Sequence, residues 1–194
     1  MKHPGRKLFH LLGGLGLLSL YFLLGRNAAF FCYGALIITV LSFETLRLML
    51  PGLNRYLYTH FGSFIRKNEE RKLTGTAPYI LGVGLSLYAY SAPAATAAIC
   101  FLAFGDVAAT TIGERFGKTK IGDKSLEGTA AFVAAALAAG ILLSILGLGL
   151  APWIMLLGAL VAAGIELLTL PVNDNLVIPV IAGAVMEFAL RWAR

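Results

Sequence analysis

LFHLLGGLGLLSLYFLLG, residues 8–25, is followed after Arg26-Asn27 by AAFFCYGALIITVLSFETL, residues 28–46. Each run approaches the ~20 apolar residues that cross a bilayer as a helix. Five more runs follow, at 76–91, 93–112, 130–150, 152–170 and 176–192. This pattern predicts an all-α, polytopic transmembrane helix bundle of about seven spans, with residues 1–194 forming one catalytic domain. Only two substantial loops are expected, 47–75 and 113–129, so any chemistry must come from span ends and these loops. The basic start, MKHPGRK, is not read as a cleavable leader, because the run after it closes on Leu23-Leu24-Gly25-Arg26 and not on a small-x-small site.

Composition agrees. The 194 residues are 58% hydrophobic and 13% charged, and mean hydropathy is +0.80. With Gly counted and Tyr left out, roughly 66% of the chain is apolar, against ~45–50% for a soluble domain. A soluble globular enzyme, a disordered chain and a nucleic-acid-binding domain are thereby excluded. Cys32 and Cys100 lie inside apolar runs, show no metal-ligand spacing and read as small apolar filler.

Charge predicts the orientation. With the N-terminus cytoplasmic, 13 of the 16 Lys and Arg fall on inside segments, and only Arg26, Arg191 and Arg194 fall outside. That is a strong positive-inside pattern. The formal net charge of +6 is then mostly a topology signal, with an affinity for anionic headgroups and phosphate. The outside links are tight and nearly featureless, and polar residues gather at the inside ends. A transporter would instead place polar groups at the midplane of paired, broken helices. An enzyme working at one membrane surface is the expected class.

Five polar constellations lie on that side. In His3-Pro4-Gly5-Arg6-Lys7-Leu8-Phe9-His10, helical spacing makes Arg6, Lys7 and His10 neighbours, either a phosphate-binding cluster or an interfacial anchor. Glu69-Glu70-Arg71-Lys72-Leu73-Thr74-Gly75-Thr76 enters a span with hydroxyls and backbone N–H groups, either an anion site or a plain cap. Asp106, after Phe104-Gly105, stands roughly 9 Å inside the helix end at ~1.5 Å per residue. A carboxylate there faces a polar cavity or pairs with a cation. Gly113 to Thr129 packs seven charged residues and four glycines into 17 positions. It comes close to a P-loop, but Asp123 is inserted before Lys124-Ser125 and no strand precedes it, so that fold is rejected. Ser125 is placed to cap the next helix and Glu127 lies in its first turn. Glu166 is a second acid within a span, Asp174 sits in the turn Pro171-Val172-Asn173-Asp174-Asn175, and Glu187 with Arg191 reads as structural. Asp106, Glu127, Glu166 and Asp174 are expected to face one opening beside the basic loop. Oxygen ligands without His or Cys suit Mg²⁺, and with phosphate-binding lysines they are the parts of phosphoryl transfer.

Arg6-Lys7-Leu8-Phe9-His10, Glu70 with Thr74-Gly75, Gly105-Asp106-Val107-Ala108-Ala109, Lys124-Ser125-Leu126-Glu127-Gly128-Thr129 and Asp174-Asn175-Leu176 recur in order along the chain. In these stretches it resembles the family of dolichol kinases, phytol kinases and CTP-dependent diacylglycerol kinases, in a compact prokaryotic-type form. The resemblance implies transfer of a γ-phosphoryl group, typically from CTP, to the hydroxyl of a membrane lipid alcohol, with Mg²⁺ or another divalent cation. It implies Asp106, Lys124 and Glu127 as catalytic residues, and Asp106, Glu127 and Asp174 as metal ligands. It implies nucleotide contacts from Arg6, Lys7, Thr74, Gly75, Lys118, Lys120, Gly122, Ser125, Gly128, Asp174 and Asn175. The lipid is expected to enter sideways from the bilayer, its hydroxyl reaching Asp106. The alternatives are a CTP-dependent cytidylyltransferase making a CDP-lipid, and a non-catalytic scaffold or transporter.

The charge asymmetry makes a direct prediction. In a Lys120→Cys variant, a membrane-impermeant thiol reagent should label position 120 only from the cytoplasmic side. Labelling from outside intact cells would overturn the orientation.

Overall fold

The structure, a computed structural model, describes residues 4–62, 69–168 and 171–193, with the side chains of Pro4 and Arg6 outside that description. Helices α1 (Pro4–Leu24) and α2 (Arg26–Met49) are separated by Gly25 alone. Gly25 has φ 78°, a left-handed conformation open to glycine at no steric cost, and so turns the chain back in one residue. Leu50 is extended, as the residue before a proline must be, and Pro51 opens α3 (Pro51–Phe61). The predicted loop 47–75 is thus corrected: α2 continues to Met49 and α3 takes the next eleven residues.

Next come α4 (Thr76–Ala89) and α5 (Ala92–Phe116), then strands β1 (Lys120–Ile121) and β2 (Lys124–Ser125), paired antiparallel with Lys120 opposite Ser125. Helices α6 (Leu126–Ile145), α7 (Pro152–Leu167) and α8 (Asp174–Trp192) complete the described residues. The second predicted loop, 113–129, shrinks to this hairpin, because α5 runs on to Phe116 and α6 starts at Leu126.

The architecture is all-helical apart from the hairpin. Five helices, α1, α2, α5, α6 and α8, are long and apolar enough to cross a membrane, which marks the chain as a membrane protein. The runs at 76–91 and 152–170 form shorter apolar helices of 14 and 16 residues. At ~1.5 Å per residue these are about 21 and 24 Å long, short of a ~30 Å hydrocarbon core. Both begin where their runs begin and stop short at the other end, α4 at Ala89 and α7 at Leu167.

Helix α5 is the axis of the bundle. It packs along α6 and also touches α1, α4, α7 and α8. Ala94, Ala98, Ile99, Phe101 and Leu102 on it are fully buried. Between apolar helices in lipid, close backbone approach replaces the hydrophobic drive, and small residues permit it. A methyl group on Gly105 would lie 2.6 Å from the Phe132 ring of α6. Large apolar side chains such as Leu23, Phe31, Ile145 and Phe188 point outward, as a hydrocarbon solvent allows.

The helices alternate between two unlike ends. At one, Arg26 donates to Tyr88 O, and Glu187 accepts from both Ser91 N–H (2.9 Å) and Arg191 Nε (2.9 Å). The other end gathers the starts of α1, α4, α6 and α8, the ends of α2, α5 and α7, and the hairpin. Lys7, Arg47, Lys118, Lys120 and Lys124 stand there, so the charge bias of the sequence is a bias between the two ends of the bundle.

Gly105→Val should destabilise the bundle by overpacking, by about 1–3 kcal/mol. A thermal melt in detergent would register it, and Phe132→Ala in the same chain should recover part of the loss. An unchanged melt would mean that α5 and α6 do not need this contact.

Candidate active site

At the basic end, Arg47 in the last turn of α2 is only 1% exposed. Its guanidinium donates to Glu44 Oε2 at 2.8 Å, to Asn54 Oδ1 of α3 at 2.8 Å, and to the carbonyls of Lys72 (2.7 Å) and Glu69 (3.3 Å). Glu44 Oε2 also accepts the Thr74 N–H at 3.0 Å, and Glu69 Oε1 accepts the Gly75 N–H at 3.2 Å. A buried charge persists only when paired and hydrogen-bonded, and this one is paired by folding the 69–75 segment around it. The amides of Thr74 and Gly75, expected to be open to an anion, are therefore already satisfied by carboxylates.

Helix α8 begins beside Gly75. Asn173 caps it, its side chain accepting the Asn175 N–H at 3.0 Å. Asn175 Nδ2 donates to Gly75 O at 3.0 Å, and its Oδ1 meets His10 Nε2 at 2.9 Å. His10 is buried and stacked on Tyr79, whose hydroxyl donates to His10 O at 2.7 Å. Asn175, expected among nucleotide contacts, ties α1, α4 and α8 together.

The hairpin turns at Gly122-Asp123, where Gly122 has φ 57°. Ser125 is buried and caps α6, its Oγ accepting the Gly128 N–H at 3.2 Å. A Cβ on Gly117 would approach this Oγ to 2.6 Å, and one on Gly128 would meet Ala109 O at 2.8 Å. These glycines therefore serve close packing between the end of α5 and the start of α6. Both Glu127 oxygens are engaged, accepting the N–H groups of Lys118 (3.1 Å) and Thr119 (3.1 Å) and the Thr119 hydroxyl (3.1 Å). Glu127, expected as a metal ligand, here accepts these bonds from the segment leading into β1. Lys118 and Lys120 are exposed on the hairpin, with Lys120 Nζ 3.5 Å from Gly113 O.

Two of the four expected acids, Glu166 and Asp174, meet at Lys124. Lys124 is ion-paired with Glu166, itself 2% exposed, and lies 3.9 Å from Asp174 Oδ2. Asp106 and Asp174 are both within electrostatic reach of Glu166, and Asp106 also of Tyr79. Asp106 is 8% exposed. Lys124 thus stands between Glu166 of α7 and Asp174 of α8, with Asp106 of α5 acting electrostatically on Glu166.

Lys7 faces elsewhere, toward the last turns of α5. It pairs with Glu114 at 2.9 Å and donates to Thr111 Oγ1 at 3.3 Å. The expected contribution of Arg6 lies outside the described side chains. Sequence reasoning missed Glu44, Arg47 and Asn54. A Glu-x-x-Arg pair closing an otherwise apolar run was the signal, but Arg47 had been counted only as a topology charge.

No family model matches the chain, and no solved structure does. Over 158 residues the chain is 27% identical to CTP-dependent diacylglycerol kinase 1 of Schizosaccharomyces pombe, an alignment covering 74% of this chain and 72% of that protein.

Arg47→Met would leave Glu44 buried without its cation, which typically costs about 3–5 kcal/mol. A lower melting temperature and new protease cleavage within 69–75 are expected. Unchanged stability together with a protected segment would remove Arg47 from its organising position.

Proposed function

We propose that this chain is an integral-membrane lipid kinase. It transfers the γ-phosphoryl group of a nucleoside triphosphate, CTP in our reading, to the hydroxyl of a membrane lipid alcohol. A polyprenol, a phytol-like isoprenoid and a diacylglycerol are the acceptor classes. The observation that carries the proposal is the pairing of Lys124 with Glu166 and Asp174, with Asp106 buried on neighbouring α5, at the end of the bundle that also bears the exposed Lys118 and Lys120. Similarity to a protein named as a CTP-dependent diacylglycerol kinase supports the reaction class and the donor. The single catalytic unit faces the cytoplasm, where its nucleotide is found.

In the reaction the lipid oxygen attacks the γ-phosphorus, and the bond from that phosphorus to the β-bridging oxygen breaks. The nucleoside diphosphate leaves and the hydroxyl proton is lost to a base. Negative charge shifts toward the leaving oxygen, so catalysis rests on positioning and on cations. Lys118 and Lys120 on the hairpin attract the triphosphate. Lys124 exchanges part of its pairing with Glu166 and Asp174 for phosphate oxygens.

Among the described residues, no three of His, Cys, Asp and Glu come together as a ligand group for an ion. The all-oxygen donors fit Mg²⁺ in its usual nucleotide-borne mode, in which one or two carboxylates complete a shell already holding phosphates and water. Asp106 and Asp174 would hold it, and when bound it supplies neutralisation of the β- and γ-oxygens. The charge of Asp106 thereby acts on the phosphoryl donor.

Three measurements test the proposal. With γ-labelled CTP, the label should appear in the lipid; transfer of a cytidine label instead would identify a cytidylyltransferase, and transfer of neither label across several acceptors would favour a non-enzyme. Asp106→Asn keeps the shape and removes the charge, so turnover should fall at least ~10²-fold, on the order of 3 kcal/mol in barrier. A stable Asp106→Asn protein with near-normal turnover at saturating Mg²⁺ would sink its assignment. Lys124→Ala should weaken nucleotide binding at least ~10-fold, about 1.4 kcal/mol, and should lower stability by leaving Glu166 unpaired. Adding Glu166→Gln should restore the melt but not the affinity, whereas recovery of both by calorimetric titration would make Lys124 structural.

A further inference from the structure

A groove of about 550 Å³ runs along the outer side of the α5–α6 pair. Val107, Ala108 and Thr111 of α5 form one wall, and Ala135, Ala138 and Leu142 of α6 the other. On each helix these positions recur every three or four residues, so each contributes one continuous face. Alanines where larger side chains would close the gap leave it concave. Its volume falls within the ~300–1,000 Å³ of small-molecule sites. Both helices are long and apolar enough to cross a membrane, so the groove opens toward hydrocarbon.

Its polarity is confined to one end. Thr111 carries the polar side chain of the lining; it accepts from Lys7 Nζ at 3.3 Å, and Lys7 is paired with Glu114 at 2.9 Å. The channel is therefore apolar along its length and ends in a charged corner at the basic end of the bundle. That is the polarity of a hydrocarbon chain with a hydroxyl at its head. We propose that this groove binds one chain of the acceptor lipid alcohol and presents its hydroxyl at the Thr111–Lys7–Glu114 corner. The identity of the occupant rests on the lipid-kinase reading; the groove and its polarity do not.

The assignment divides labour across α5. At 3.6 residues per turn, Asp106 stands roughly opposite the groove-lining positions Val107, Ala108 and Thr111, and it is buried near Tyr79 and Glu166. A lipid hydroxyl arriving along the groove meets the Lys7–Glu114 pair and not Asp106. For transfer, the triphosphate drawn by Lys118 and Lys120 extends round the end of α5, where Lys120 Nζ lies 3.5 Å from Gly113 O, so that its γ-phosphorus meets the hydroxyl at this corner.

Two measurements on the full chain in nanodiscs test this. A diacylglycerol and a polyprenol, each bearing a mid-chain diazirine, should on irradiation label segments 104–112 and 135–142. The labelling should be competed by the unlabelled alcohol and not by phosphatidylcholine. Ala138→Phe, at an exposed position that fills the groove, should raise the KM for the lipid at least ~10-fold while the KM for nucleotide and the melting temperature stay unchanged. Labelling spread evenly over the lipid-exposed faces of α1 and α2, equal competition by phosphatidylcholine, or an unchanged lipid KM in Ala138→Phe would each overturn the proposal. If the wild-type protein phosphorylates neither alcohol, the kinase reading fails by itself, and the labelling pattern still decides whether the groove selects lipid alcohols.

Discussion

The bundle depends on how closely backbones can approach α5. Lipid offers no hydrophobic drive between apolar helices, so dispersion contacts and polar links between helices must hold them together. An alanine-rich α5, with Gly105 against Phe132 and Gly113 and Gly117 against Ser125, lets α6 lie almost on its backbone. The same closeness brings α7 and α8 near enough for Glu166 and Asp174 to meet Lys124 from the hairpin. Larger residues along α5 would separate these elements by a side-chain layer, and the charged cluster would dissolve with them.

Polar groups inside such a bundle have few solvents other than each other. At the basic end this produces long-range pairings: His10 with Asn175, Asn175 with Gly75, Arg47 with Lys72, and Lys124 with Glu166. Each ties the terminus of one helix, or the segment entering it, to another. The Arg47 network does so for the segment entering α4, and Asn175 for the start of α8. The acids that carry the proposed chemistry therefore stand on helices, Asp106 inside α5 and Glu166 and Asp174 at the ends of α7 and α8, and only the hairpin brings its lysines on a short two-stranded arm.

The parts of this organisation legible in sequence were those written in local pattern. Apolar runs located the helices, Ser125 announced the cap of α6, and Asp106 and Glu166 stood out as acids within spans. The runs at 76–91 and 152–170 form the two shorter apolar helices, which end at Ala89 and Leu167. Helix α3 escaped because none of its residues is fully buried, so its apolar positions made no run. Gly113, Gly117 and Gly128 permit close approach, and what approaches is the neighbouring helix end, whereas Gly122 has open space around it. A charged residue at a helix end, such as Glu127 or Arg47, looks the same in sequence whether it meets solvent, phosphate or main chain. Pairings such as His10 with Asn175, 165 residues apart, leave no local trace at all.

The one-residue turn at Gly25 bears on how the protein is assembled in the membrane. It makes α1 and α2 a self-contained hairpin whose side chains mostly face outward. Such a hairpin can rest in lipid as it leaves the insertion machinery, before any later helix exists to receive it. Helix α5, mostly buried and carrying Asp106, is poorly suited to wait alone in hydrocarbon. Biogenesis thus divides into an early, lipid-tolerant pair and a later group around α5 whose members must enter nearly together.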